Sequence, residues 1–149
     1  MSIHLPVHGS LVSIFGEAGV SSLRALVDTV IPPDDYPGGW DSGVGDYLER
    51  GFAVQLAPHI PLYLACITSL SEEAQLRYSR CFADLELFER TELLERLQAD
   101  GGTAEWVISP ARFIRIAAEH AAEGFYADPG NGGNRDGISW KMIGFEVVG

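Results

Sequence analysis

The stretch Glu86–Gly102 reads ELFERTELLERLQADGG, and it decides the class of fold. Leu87, Leu94 and Leu97 recur at helical spacing with Leu93 beside them, so one stripe is apolar. Glu86 with Arg90, and Glu92 with Arg96, stand four apart with the acid first, the order that supports an exposed helix. Gly101 and Gly102 close it, because glycine reaches the left-handed conformation that ends a helix.

The same period extends outward from there. Leu23, Leu26, Val27, Val30 and Ile31 form one helical stripe, with Ser21 or Ser22 as its cap and Pro32-Pro33 as its stop. The turn PPDDYPGGWDSG follows. A second helix carries Val44, Tyr47, Leu48, Phe52 and Leu56, and Pro58 and Pro61 bracket a break. A third runs from about Leu62 through Thr68. There SLSEEAQLRYSRCF either continues it or starts another, since Ser69 and Glu72 have capping-box spacing. The last helix begins at Ser109-Pro110, an N-cap followed by proline at the first helical position, and buries Phe113, Ile116, Ala117 and His120. No strong alternating segment competes, although MIGFEVV near the end could make a short strand. The expectation is all-α. It is a single domain over residues 1–149, with an N-terminal arm (1–20), a compact helical bundle (21–123) and a long irregular Gly/aromatic-rich C-terminal tail (124–149).

Composition narrows the function. At 149 residues with 46% hydrophobic and 21% charged, the chain suits one core and not global disorder. A net charge of −11, with Lys141 the one lysine and the arginines scattered, excludes a phosphate-tracking nucleic-acid surface. The acidity reads first as solubility. Cys66 and Cys81 lie in helix-like apolar surroundings and are expected as buried free thiols, with a disulfide left open. The opening MSIHLPVHGSLVSIFGEAGV shows no basic n-region, no arginine pair and only short apolar runs. No membrane insertion is expected, and the chain as translated reads as cytoplasmic.

Catalytic patterns are thin. His120 and Glu123 have the i,i+3 spacing of a carboxylate-bridged metal site, but no other helix offers a Glu-x-x-His partner. A core-edge histidine with a hydrogen-bonded partner is the favoured reading, and no metal is assigned. His4 and His8 are separated by Pro6, which argues against a regular helix. Asp128, Asn131, Asn134 and Asp136 supply oxygens for calcium, yet glycines and Ser139 stand where an EF-hand needs ligands. No GxSxG elbow is present.

The segment Gly124–Phe145, GFYADPGNGGNRDGISWKMIGF, combines tight turns with large aromatic groups. Glycine lets another backbone approach closely, and Trp and Tyr give wide contact area with a polar handle. Two readings stand: the tail docks on another protein, or it covers this chain's own bundle.

This tail closely resembles the signature end of the gluconate 2-dehydrogenase subunit 3 family. LRALVDTVIPPDDYPGGWDSGVGDYLER resembles that family's helix, double-proline turn and following helix, and FADLELFERTELLERLQ is similar to its leucine-rich helix. The likeness spans roughly residues 21 to 146. It implies a small, non-catalytic, gamma-type subunit that binds and stabilises or matures a large FAD-dependent sugar or polyol dehydrogenase subunit. That partner is of the glucose-methanol-choline type, and some complexes add a cytochrome. FAD is then expected on the partner, with no cofactor on this chain. The family motif falls on Phe125, Tyr126, Asp128, Pro129, Asn131, Gly132, Gly133, Asn134, Trp140, Gly144 and Phe145, with Asp28, Pro32 and Pro33 matching the front motif. These are expected to shape the tail or touch the large subunit, and none is assigned as catalytic. Many members carry a twin-arginine leader that is not seen here, so the complex is expected in the cytoplasm, with the alternatives that the partner bears the export signal to the periplasm or that a leader has been removed. The alternative is a stand-alone small-molecule-binding protein or enzyme reusing the fold.

Overall fold

The computed structural model describes residues 9–35 and 37–127. Among them the architecture is all-α. The elements are α1 (Gly9–Val30), a π turn (Trp40–Val44), α2 (Gly45–Ala53), a 3-10 turn (Ala57–His59), α3 (Ile60–Tyr78), a second 3-10 turn (Phe82–Asp84), α4 (Leu87–Asp100) and α5 (Pro110–Tyr126). α1 lies centrally and packs against α3, α4 and α5, while α2 closes over α1 and α5.

The expected stripes become the core. Leu23, Leu26, Val27 and Ile31 of α1 are buried with Leu93, Leu94 and Leu97 of α4 and Phe113 and Ala117 of α5. Tyr63 and Phe52 meet edge-to-face at 5.1 Å, and Tyr63 and Phe113 at 5.4 Å, the geometry that the ring quadrupoles favour. Each such side chain contributes on the order of 1.5–3 kcal/mol by leaving water.

The helix ends follow their chemistry. Ser109 Oγ accepts the Arg112 amide at 3.2 Å and Pro110 opens α5. Gly101 caps α4 at φ 85°. Glu86 and Glu89 form a reciprocal capping box at the start of α4.

Three expectations are corrected, and the open question of whether α3 continues past Thr68 is answered. α1 begins at Gly9, inside the stretch read as an N-terminal arm, and Ser21 and Ser22 are interior residues. Gly16, at φ 73° and ψ 166°, breaks the helix and shifts the apolar period, which hid the first half from pattern reading. α3 runs unbroken through Ser69, whose hydroxyl returns to Ala65 O and also donates to Glu105 O. Arg90 turns inward to Thr29 Oγ1 (2.8 Å) and Leu85 O (2.6 Å) instead of pairing along the surface with Glu86. Cys66 is buried as expected, but Cys81 is exposed at the N-cap of a 3-10 turn, and both are free thiols.

Ser10–Val30 is long and apolar enough to cross a membrane by composition, with mean hydropathy 1.3. The glycine break interrupts it, and Leu11, Leu23, Leu26 and Val27 belong to the protein core.

Candidate functional site

The double-proline turn is built from α1 outward. Pro32 has no amide to donate to a further helical turn, so the chain leaves α1 there. It must then reverse to place Trp40 in the core, where the indole is 4% exposed. Asp28, on the last turn of α1, makes this possible. Its Oδ1 accepts the Trp40 amide at 2.9 Å, and the Gly39 amide donates to Ile31 O at 2.8 Å. Space is tight at both glycines. A Cβ on Gly38 would lie 2.8 Å from Asp28 Oδ1, and one on Gly39 would lie 3.0 Å from Ile31 Cβ. Burial raises the Asp28 pKa, partly offset by the Trp40 amide and the nearby Arg24 guanidinium. Arg24 also reaches Asp41 at 3.1 Å, tying the helix to the far side of the turn. Pro32 and Pro33 themselves are exposed, while the large apolar group of the turn faces inward.

The turn meets the end of α5. The Trp40–Val44 segment packs on α5, and the Tyr47 side chain of α2 lies against Gly124. A Cβ at Gly124 would come within 2.9 Å of the Tyr47 ring, so glycine is what lets the two helices close. Tyr47 donates to Glu123 Oε1 at 3.1 Å. Phe125 is fully buried in the core and stands edge-to-face with Tyr126 at 6.4 Å. The front motif and the beginning of the tail motif thus share one end of the bundle. Phe125 is a core residue of this chain, and Tyr126 is half-buried. Asp128, Pro129, Asn131, Gly132, Gly133, Asn134, Trp140, Gly144 and Phe145 lie outside the described residues.

His120 is placed where a core-edge histidine belongs. Its Nδ1 shares a hydrogen bond with the Tyr63 hydroxyl at 2.7 Å, and the His59 ring stands 5.0 Å away. Burial holds its pKa below the usual histidine range; the Glu123 and Glu119 charges oppose this and His59 adds to it. Tyr63 is driven strongly upward by its own burial and stays a phenol. Glu123 turns to Tyr47, so the i,i+3 pair does not converge on one point. Among the described residues no group of three His, Cys, Asp or Glu side chains is placed to hold a metal ion.

One polar centre was missed by sequence reading. Glu73 of α3 is fully buried, and its Oε2 accepts the Thr103 amide (2.7 Å), the Ala104 amide (2.9 Å) and Trp106 Nε1 (2.9 Å). It fastens the α4–α5 linker to α3. Gly102, at φ 84°, passes so close that a Cβ there would collide with the carboxylate. A glutamate within an acidic SEEA run gives no hint of this, since its partners are backbone amides some 30 residues away.

These features define a small all-α domain whose buried polar side chains fasten its own turns and linkers. The model of the family "Gluconate 2-dehydrogenase subunit 3" matches residues 18–146. The chain belongs to that family. No curated protein and no solved structure matches it.

Proposed function

We propose that this chain is a non-catalytic, gamma-type subunit that binds and stabilises the large FAD-dependent catalytic subunit of a sugar or polyol dehydrogenase. The observation that carries the reading is the family match over residues 18–146, a family named for a subunit of a multi-subunit dehydrogenase. The geometry agrees with it. Half-buried Asp28 and the buried Glu73 and His120 each use a side-chain atom to hold this fold together, through Asp28 Oδ1, Glu73 Oε2 and His120 Nδ1, while Glu73 Oε1 has no hydrogen-bond partner among the described residues. Flavin and substrate then belong to the glucose-methanol-choline-type partner, and a cytochrome subunit completes the electron path in complexes that have one.

The test is co-expression of the flavoprotein subunit from the same organism with and without this chain. The expected result is a stoichiometric complex that retains FAD, against a flavin-poor, less soluble large subunit when expressed alone. A large subunit equally soluble and equally flavin-loaded in both cases, with no complex formed, overturns the proposal. In that event a small molecule that raises the Tm of the isolated chain would favour the stand-alone binder.

A further inference from the structure

We infer that the outer face of α4, centred on Phe88, is a docking surface for a protein that presents an apolar pocket rimmed by lysine or arginine. Phe88 lies on the first turn of α4 with 71% of its surface exposed, although every other phenylalanine among the described residues is buried or half-buried. The capping box through Glu86 and Glu89 fixes that first turn, and Arg80 holds Glu89 in place. The ring therefore stands on rigid backbone, so docking it orders little that is not ordered already.

What surrounds Phe88 selects its occupant. Glu86, Glu92 and Glu95 are exposed on the same side of the helix start, and the Tyr78 hydroxyl orients Glu92 at 3.0 Å. Arg96 is the nearest exposed cation along α4, and Glu89 is already paired with Arg80. The rim is thus net acidic on a chain of net charge −11. A second copy docked through the same face would set carboxylates against carboxylates, and nucleic acid or an anionic membrane would meet the same repulsion. An aromatic anchor inside an acidic rim is complementary to a pocket with a basic edge, where the ring supplies contact area and the charges supply orientation and encounter rate. The inference rests on the subunit reading above and identifies the occupant as the large flavoprotein subunit.

The test measures binding of the purified flavoprotein subunit to the wild-type chain, Phe88→Ala and Glu95→Lys by surface-immobilised kinetics at two salt concentrations. Both substitutions are exposed, so an unchanged Tm verifies that folding is intact. The expected outcome is a loss of about tenfold or more in affinity for Phe88→Ala, with slower, less salt-sensitive association for Glu95→Lys. Wild-type binding with Phe88→Ala unchanged overturns this inference and leaves the subunit reading standing. No binding by the wild-type chain overturns both. A concentration-dependent dimer that Phe88→Ala abolishes would instead assign the face to a second copy and overturn the inference.

Discussion

Asp28 and Trp40 are twelve residues apart in the chain and are joined by one hydrogen bond, from the Trp40 amide to Asp28 Oδ1 at 2.9 Å. That bond converts a proline stop into a reversal. It satisfies an amide that is carried inward with a buried indole, and it holds the Asp28 oxygen where a Cβ at Gly38 would strike it.

Asp28→Ala therefore strands the Trp40 amide beside the core and is expected to cost about 1–3 kcal/mol. Asp28→Asn keeps an acceptor oxygen and carries no charge to bury, so it should lose clearly less. Urea denaturation of both variants measures this. Equal losses would mean that the carboxylate is not acting as an acceptor for the turn.

Glu73→Ala removes the single oxygen that gathers three donors from the α4–α5 linker. The expected loss is about 3 kcal/mol, at the low end of the range for each stranded donor because Thr103 is exposed to water. Amide hydrogen exchange should show faster exchange at Thr103 and Ala104 beyond any global destabilisation. Unchanged protection at those two amides would contradict the clasp.

At Gly124, alanine would press a methyl group into the Tyr47 ring at 2.9 Å. Overpacking of this kind costs about 1–3 kcal/mol. Gly124→Ala combined with Tyr47→Ala should recover part of that loss, because the second change removes the ring that is struck. Strict additivity of the two losses in a double-mutant cycle would place the strain elsewhere.

His120 makes stability depend on pH with a definite sign. Its folded pKa lies below the ordinary 6.5, chiefly through burial, so between those values the unfolded chain holds a proton that the folded chain refuses. Its contribution is complete above pH 6.5 and is lost as the pH falls beneath it. Asp28 works in the opposite sense at lower pH. Its raised pKa gives a contribution that declines as the pH rises through the window above 3.8. The difference in unfolding free energy between wild type and His120→Gln should therefore narrow from pH 7.5 to pH 5.5, and a constant difference would count against the buried neutral imidazole.

Much of this protein was legible in its sequence. The 3.6-residue recurrence of Leu23, Leu26 and Val27, and of Leu94 and Leu97, dictates helices, because such spacing buries one face only when the chain coils. The stops at Pro32 and Gly101 and the start at Ser109-Pro110 are equally local, since each depends on the backbone chemistry of one or two residues. The family likeness followed from the same string. What the tertiary structure alone decided are the relationships between distant residues. Gly16 hid the first half of α1 by breaking its period, and nothing in the local pattern marked Glu73 as buried or Phe88 as exposed. Their roles depend on which groups arrive from elsewhere in the chain: amides at Thr103 and Ala104 for Glu73, and for Phe88 none among the described residues that covers the ring. A local pattern fixes the direction of the backbone, but burial is a property of all the neighbours at once, and those are assembled only on folding.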